Sequence, residues 1–306
     1  MPLPEPEPTP VVAYADYLAP VTDAVYKERL SNGAAISPTY WPQDEYVYWF
    51  PCFNPNDPYE IAYLRGQGGG CHEEVFTFSF RTGETTKVAD NACYGLDWSS
   101  TGWLLFTGID RKVWKVKADG DSLTQLTFGQ GFHNGAMWNP NGEQFIFERQ
   151  LRDDQGGELG GIAEQFRPLA WINDSTMLGS HRENEKGLIQ YFIPSKRVES
   201  LFPSENLLDI SYFKPEEMAI YVKPTLKRWD YFLRFDLQAQ QIDTLRRMYF
   251  TYGYSLGDYA PQTERAIVQL NRRDWKDSVG NEIYFRHHLL MLDEEGNEMG
   301  LVQLPE

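Results

Sequence analysis

Three things are scarce in this chain of 306 residues: cysteine, positive charge and long apolar runs. Its three cysteines are too few for a disulfide framework and lack the paired spacing of a metal site. Lysine and arginine total 28 against 44 acidic residues, which gives a net charge of −16. The chain therefore lacks the basic footprint that nucleic acids and anionic membrane surfaces require. It also has no apolar run of roughly 18 residues, so no membrane span is expected.

The N-terminal region lacks the composition of a packed domain. Its first ten residues, MPLPEPEPTP, are rich in proline and glutamate and favour an extended tether. We expect residues 1–36 to form this tether and an irregular lead-in, with a short helix near Thr22–Arg29, and residues 37–306 to form a single domain. No signal peptide is visible, and we expect that an export signal preceding Met1 has been removed.

Aromatic residues, by contrast, are abundant at 15%, and they are arranged in a repeat. Each copy consists of an aromatic residue, a short polar turn that often contains proline or glycine, and a strand-forming run. The clearest turns read WSSTG from Trp98 and WNPNG from Trp138. The copies recur about every 40 residues, a period typical of propeller blades. They begin at Phe53, Trp98, Trp138, Trp171, Phe213 and Tyr259.

The repeat predicts an all-β fold, a six-bladed β-propeller with four-stranded antiparallel blades. The third copy runs into the glycine-rich stretch Arg152–Gly161 without a clear outer hairpin, so we expect that blade to be truncated. Two ways of closing the ring are open. A strand at Tyr46–Trp49 could complete the last blade, or Met299–Leu304 could finish it without help. Ring closure protects the strand edges.

The WSSTG and WNPNG turns, with Leu-Thr closing one blade before the next, resemble the WD40-like PD40 repeats of TolB-type propellers. The resemblance covers about residues 46–304 and implies a six-bladed binding platform of the bacterial cell envelope. It also implies an exported protein that is periplasmic or associated with the outer membrane, for which we consider a lipoprotein form. TolB carries an additional N-terminal α/β domain. No such domain fits before Phe53, so TolB's own partners are not carried over.

Basic and aromatic residues cluster in two of the predicted blades. We expect them in the loops between the second and third strands of blades five and six, and in the crossover between these blades. Arginine and tryptophan are enriched at binding surfaces, and arginine pairs with carboxylates; the alternative is that each tryptophan folds onto its own loop. The predicted binding residues are Lys227, Arg228, Trp229, Arg246, Arg247, Arg272, Arg273, Trp275 and Lys276, with Phe132 and His133 in a crossover expected to face the central funnel.

Two of the three cysteines fall in segments that a blade places on the same face. Cys71 lies in the loop between the second and third strands of the first blade, and Cys93 lies in the crossover to the second blade. A disulfide between them fits this geometry in an oxidising compartment. Two free thiols are the alternative.

Motifs for catalysis and metal binding are weak. Gly253–Gly257 matches the GxSxG nucleophile elbow, but an elbow needs a strand, a sharp turn and a helix, and we expect an inner strand here. No histidine pair has metal-ligand spacing. The acidic pairs in glycine-rich loops lack the alternating pattern of a calcium loop. We therefore predict no catalytic residue, no metal and no cofactor.

Two classes of function remain open. The first is a non-catalytic, monomeric scaffold that recognises an envelope protein or a peptidoglycan- or glycan-associated partner through one propeller face. The alternative is a hydrolase or lyase acting on a polysaccharide or peptide from the axial funnel, or a glycan-binding lipoprotein. Asp97, Asp209 and Asp258 lie near inner strands of different blades and are the candidate carboxylates for an enzyme. A deep polar pocket with perturbed carboxylates would favour the enzyme, and a shallow wide face would favour binding.

Overall fold

The structure is a computed structural model that describes residues 14–20, 46–67, 71–128, 135–181, 186–214, 217–222, 229–236, 241–249, 252–276, 282–284 and 288–305. Within these ranges the fold is almost entirely β. It begins with a short 3₁₀ helix, Tyr14–Tyr17, and the two-residue strand β1 (Leu18–Ala19). All strand pairs described are antiparallel, as the alternation of strand runs and tight turns predicts.

The first three repeats each form a four-stranded unit. The first consists of β2 (Tyr46–Asn54), β3 (Asp57–Gln67), β4 (Glu73–Ser79) and the first half of β5 (Thr85–Trp98). The second half of β5 begins the second unit, with β6 (Trp103–Gly108), β7 (Val113–Lys117) and β8 (Thr124–Gln125). The third consists of β9 (Met137–Trp138), β10 (Gln144–Phe147), β11 (Gln150–Asp153) and β12 (Glu158–Gly161).

The later repeats follow the same plan. The fourth unit consists of β13 (Phe166–Asn173), β14 (Thr176–His181), β15 (Lys186–Phe192) and the first half of β16 (Arg197–Lys214). The fifth consists of the second half of β16, β17 (Glu217–Val222), β18 (Trp229–Asp236) and β19 (Gln241–Tyr249). The last consists of β20 (Tyr252–Ala260), β21 (Arg265–Lys276), β23 (His288–Leu292) and β24 (Glu298–Val302), with β22 (Glu282–Tyr284) paired to the far end of β21.

These four-stranded antiparallel units confirm the predicted fold class, a β-propeller. A closed ring of six blades stays a prediction. The predicted truncation of the third blade is wrong, because an outer hairpin pairs β11 with β12. Asp153 organises its turn: Oδ1 accepts the N–H groups of Gln155 (3.0 Å) and Gly157 (2.7 Å). The hairpin was missed because β12 reads ELGG, which lacks strand-forming residues and is exposed throughout.

The aromatic residues that start the second and third repeats pack against the preceding unit. Trp98 joins a buried cluster with Cys52, Leu64 and Val75 of the first unit. Trp138 packs in the same way with Leu105 of the second unit. At these two interfaces the repeat therefore supplies one large hydrophobic side chain, which contributes roughly 1.5–3 kcal/mol on burial.

The last unit packs against the first, so the two ends of the propeller meet. Phe53 and Ile61 of the first unit share a buried cluster with Ile267 and Met291 of the last. Strand β24 is the fourth strand of the last unit, as expected for Met299–Leu304, whereas Tyr46–Trp49 belongs to β2, the inner strand of the first unit.

Part of the N-terminal lead-in also belongs to the packed fold. Strand β1 pairs with the outer edge of β24, with Leu18 opposite Val302. Just before it, Tyr14 is buried, stacks on Tyr59 with ring centroids 5.0 Å apart, and donates its hydroxyl to the carbonyl oxygen of Pro58 at 2.7 Å. This segment covers an edge that would otherwise present unpaired backbone groups. The helix expected near Thr22–Arg29 lies outside the described residues.

Cys71 and Cys93 form the disulfide that their positions suggested, and Cys52 is a buried free thiol. The bond joins the start of β4 to the point where β5 passes from the first unit to the second. It therefore ties the two units together at the end of the strands where the chain crosses over.

We predict that Tyr14→Ala lowers the free energy of unfolding by about 3 kcal/mol, because it removes a buried aromatic side chain. Tyr14→Phe should cost only about 1 kcal/mol, the net value of one hydrogen bond. Urea denaturation measures both. Asp16→Ala, an exposed change in the same 3₁₀ helix, is the control and should stay within about 0.5 kcal/mol of the parent. Equal stabilities for Tyr14→Ala and its control would show that residues 14–20 do not stabilise the fold.

We predict that replacing Cys71 and Cys93 with serine lowers the free energy of unfolding by about 3 kcal/mol, because the bond closes a loop spanning 22 residues. Reduction by dithiothreitol should have a similar effect. The effect of the reductant should persist in Cys52→Ala, because that thiol takes no part in the bond. A parent protein whose denaturation curve is unchanged by complete reduction would contradict the prediction.

Candidate functional site: the axial cavity

A cavity of about 370 Å³ opens where the repeat turns gather, at the end of the inner strands. We call it the axial cavity. The aromatic residue that begins five of the repeats lines its wall: Phe53, Trp98, Trp138, Trp171 and Tyr259. Proline, asparagine and serine from the turns form the mouth, and Asp97 and Asp258 are the charged residues among the described lining. Its volume lies in the range of small-ligand sites.

The turns around the mouth are fixed by the polar residue that follows each aromatic residue. The Ser99 hydroxyl accepts the N–H of Trp103 at 2.9 Å, and the Asn139 side chain accepts the N–H of Gln144 at 3.0 Å. The glycine of each turn, Gly102 or Gly142, adopts a left-handed φ of +82° or +72°. This backbone conformation favours glycine, which explains the WSSTG and WNPNG spacing.

Hydrogen bonds connect successive turns around the rim. Gln262 of the last repeat donates to the carbonyl oxygen of Pro55 in the first at 2.9 Å. Asn56 donates to the carbonyl oxygen of Ser100, whose hydroxyl donates to that of Pro140, both at 2.9 Å. Asn141 of the third repeat donates its N–H to Asp174 of the fourth at 3.0 Å. The rim is therefore a connected band, which pre-organises the cavity before any ligand binds.

Asp97 and Asp258 occupy equivalent positions, each directly before the repeat aromatic residue. Oδ1 of Asp97 accepts the N–H of Trp98 at 3.0 Å, and Oδ2 accepts the N–H of Trp138 in the next repeat at 2.6 Å. Asp258 accepts the N–H groups of Tyr259 and Phe53 in the same way, both at 2.8 Å. Each carboxylate thus links its own inner strand to the next one, and Asp258 links the last repeat to the first.

The environment of these carboxylates raises their pKa values. Burial raises the pKa of Asp97 from an ordinary 3.8 to about 7, with a smaller contribution from the negative charge of Asp258. Burial also raises the pKa of Asp258 to about 6, although the N–H groups of Phe53 and Tyr259 favour its charged form. Desolvation therefore outweighs the hydrogen bonds at both positions.

Cys52 lies on the first repeat, between the repeats that carry the two aspartates. Burial raises the pKa of its thiol well above the ordinary value, and the charges of Asp258 and Asp97 raise it further. A thiol held in its neutral form is a poor nucleophile. Cys52 is therefore a packing residue, in keeping with its membership of a buried cluster.

Four of the sequence-predicted binding residues, Lys227, Arg228, Phe132 and His133, lie outside the described residues. For the other seven the structure describes the backbone, and it places them in strands rather than in loops or a crossover. They extend long hairpins: Arg246 and Arg247 pair with Phe232 and Tyr231, and Trp275 pairs with Ile283. The remaining four lie in the same three strands: Trp229 in β18, and Arg272, Arg273 and Lys276 in β21.

These seven residues share one end of the strands with the Cys71–Cys93 disulfide. Strand β21 pairs with β20 near the cavity at Arg265 and at the far end at Arg272, and β18 and β19 run likewise. We call this end the crossover face. The seven described residues of the predicted patch therefore lie at the opposite end of the strands from the axial cavity. Two of the three carboxylates that the sequence offered for an axial funnel, Asp97 and Asp258, line the cavity. The sequence did not indicate that the repeat aromatic residues form its wall.

The remaining motifs fall in ordinary strands. Gly253–Gly257 lies within β20, an inner strand that turns directly into β21, so the strand–turn–helix context of a nucleophile elbow is absent there. Asp209 lies in β16 opposite Tyr221. In the ranges that the structure describes, no group of three or more histidine, cysteine, aspartate or glutamate residues is placed to hold a metal ion.

No protein-family model and no curated protein matches the chain. Solved structures do match it, at low sequence identity. A protein assigned as TolB from Agrobacterium tumefaciens is 14% identical, with a TM-score of 0.54 over 74% of this chain and 88% of that one. An oligogalacturonate lyase in complex with manganese is 10% identical, with a TM-score of 0.56 over 85% of this chain and 78% of that one. The β-propeller domain of Swd1 (Cps50) from Myceliophteria thermophila is 14% identical, with a TM-score of 0.52 over 88% of this chain and 90% of that one. The chain therefore has the β-propeller fold.

None of the described helices has the length and apolar character needed to cross a bilayer.

We predict that the free energy of unfolding falls as pH rises from about 4 to about 7 and then levels off. The pKa values of Asp97 and Asp258, about 7 and about 6, lie above those of unfolded aspartates. The folded state therefore binds more protons across this range, and stability decreases as they are released. Urea denaturation at several pH values measures the slope.

The double variant Asp97→Asn/Asp258→Asn should show a shallower slope than the parent over the same range. Some slope should remain, because burial also raises the pKa of Glu73 to about 7. Asp119→Asn removes one exposed carboxylate and is the control for charge. If the double variant keeps the full slope, Asp97 and Asp258 do not titrate as predicted.

Proposed function

We propose that the protein is a non-catalytic, exported propeller of the bacterial cell envelope that binds an envelope protein or a peptidoglycan- or glycan-associated partner at the axial cavity. The observation that carries this proposal is the set of hydrogen bonds that the two axial carboxylates, Asp97 and Asp258, accept. All four of their oxygen atoms accept backbone N–H groups, and one bond of each carboxylate joins it to the next repeat. Carboxylates fixed by these hydrogen bonds hold the cavity wall in one arrangement, which suits a preformed recognition surface.

Three further observations support this proposal. The wall of the cavity is aromatic and its mouth contains three prolines, Pro55, Pro140 and Pro261, a composition suited to contacts with extended peptides or sugar rings. The Cys71–Cys93 disulfide suits an oxidising compartment outside the cytoplasm. The likeness to a protein assigned as TolB is in keeping with the PD40-type repeats, a periplasmic or outer-membrane location and a lipoprotein form.

A second contact surface is proposed on the crossover face. Lys227, Arg228, Trp229, Arg246, Arg247 and the basic end of β21 would form it, with Phe132 and His133 nearby. Two exposed aromatic residues lie at the same end: Phe128, which is 81% exposed, and Tyr94, which is 43% exposed. Exposed aromatic residues and arginines are each enriched at partner surfaces.

A hydrolase or lyase acting from the axial cavity is the second candidate, and one observation favours it. The pKa of Asp97, about 7, is close to the value that suits a general acid or base at neutral pH. If this candidate is correct, Asp97→Asn will abolish turnover of a polysaccharide or peptide while leaving its binding intact.

Capture from solubilised bacterial envelope, with chemical cross-linking and quantitative mass spectrometry, tests the proposal. The bait proteins are the parent, a cavity variant (Ala170→Trp) and a crossover-face variant (Arg228→Ala, Trp229→Ala, Arg273→Ala and Trp275→Ala). Ala170 lines the cavity, so an indole there should fill part of it. Glu143→Gln, an exposed change on the same rim, is the matched control.

We expect the parent and Glu143→Gln to enrich the same envelope component, and Ala170→Trp to lose it by about tenfold, or roughly 1.4 kcal/mol. Loss in the crossover-face variant as well would indicate that the partner spans both ends. A partner lost only in the crossover-face variant would place binding there and contradict the cavity. If the parent enriches no envelope component, the binding function is wrong.

A further inference from the structure

We propose that the axial cavity receives the cationic end of a lysine or arginine side chain from the partner, with Asp97 and Asp258 as its charge partners. This inference deepens the proposed function and rests on it. The cavity has an imbalance of charge. Among the described residues that line the cavity, two are acidic and none is basic. The cavity is thus a concave site with negative charge at its wall and no counter-charge from its described lining.

The hydrogen bonds of the two aspartates leave them able to accept more. Each carboxylate oxygen offers two lone pairs, and each accepts one backbone N–H. The four bonds hold the carboxylates at fixed positions on the second and last repeats, on either side of the first. An ammonium or guanidinium group has three or five N–H donors and would use the remaining acceptor sites without breaking the links between strands.

The wall of the cavity suits the rest of such a side chain. Five aromatic rings, from Phe53, Trp98, Trp138, Trp171 and Tyr259, line it. Aromatic faces attract cations, most strongly where water is excluded, and they pack against the apolar stem of lysine or arginine. Met137 and Leu169 add apolar surface to the lining. A neutral polar ligand would use the aromatic wall and could donate hydrogen bonds to the carboxylates, but it would lack the charge that strengthens such bonds.

The net charge of the whole molecule also favours a cationic ligand. At −16, it creates a negative field that raises the local concentration of cations near a concave acidic site. Because the pKa values of Asp97 and Asp258 are raised to about 7 and about 6, cation binding should depend on pH. A cation favours the ionised carboxylates, so its affinity should increase as the pH rises through these values.

Nuclear magnetic resonance of the full chain tests the proposal, with methionine methyl groups labelled with carbon-13. Met137 lines the cavity, and Met137→Leu identifies its signal. The probes are the acetylated methylamides of lysine and arginine. The methylamide of norleucine, whose side chain lacks the ammonium group and ends in a methyl group at Cε, is the neutral control, and that of glutamate is the anionic control.

We expect the lysine and arginine probes to shift the Met137 signal in a saturable way, and the two controls to bind at least about fivefold more weakly. Asp97→Asn and Asp258→Asn should each weaken lysine binding by about tenfold, or roughly 1.4 kcal/mol. Glu143→Gln should leave it unchanged, because that charge lies on the rim outside the cavity. For the parent, lysine affinity should increase several-fold between about pH 5.5 and about pH 8. This last measurement needs no variant, so it remains decisive if an aspartate variant fails to fold.

Equal binding of lysine and norleucine probes, or an affinity that does not change with pH, would overturn the cation proposal. Envelope capture distinguishes this failure from failure of the proposed function. A partner that is lost in Ala170→Trp but retained in both aspartate variants would show a cavity that binds through its aromatic wall alone. The binding function would then stand and the cationic ligand would be wrong.

Discussion

The carboxylate that bridges neighbouring inner strands is the constraint on which the cavity depends. Inner strands of a propeller do not pair with one another along their length, so something else must hold their ends in register. Asp97 does this between the second and third repeats, and Asp258 does it between the last repeat and the first. Each accepts two N–H groups that would otherwise be buried without an acceptor, and that loss would cost about 1–3 kcal/mol for each group.

The repeat aromatic residue has two roles that follow from its position. One part of the ring packs against the preceding unit and forms the interface core. Another part faces the axis, where the inner strands diverge and leave the cavity. Trp98 and Trp138 are only 6% and 5% exposed, so the cavity wall is built from side chains that packing already holds in place. A site made in this way is rigid, which lowers the entropy lost when a ligand binds.

The sequence predicted the parts of the fold that depend on local patterns. The aromatic residue, polar turn and strand run identified the repeats, because each turn needs a side-chain acceptor such as Ser99 and a glycine such as Gly102. The hairpin of β11 and β12 could not be predicted, since its outer strand contains two glycines and no β-branched residue. The packing of Tyr14 on Tyr59 could not be predicted either, because it joins residues whose contact depends on how the ring closes.

The candidate site shows the same division between local and long-range information. Asp97 and Asp258 could be selected from the sequence, since an aspartate directly before the repeat aromatic residue stands out in two of the copies. Their partners, Trp138 and Phe53, belong to the following repeats, and only the assembled propeller brings them together. The sequence also did not predict how far the hairpins that carry Arg246 and Trp275 extend. Charged residues are uncommon in strands, so their pattern indicated loops.

A raised pKa at an axial carboxylate does not by itself distinguish catalysis from binding, because burial produces the same shift in either case. What distinguishes them is the use of the lone pairs that the backbone N–H groups leave free. A general acid or base exchanges a proton there with a substrate atom in the transition state, whereas a cation needs only the ionised carboxylate in place. Under the proposed function, Asp97 and Asp258 recognise a cation from the positions that their backbone hydrogen bonds already fix.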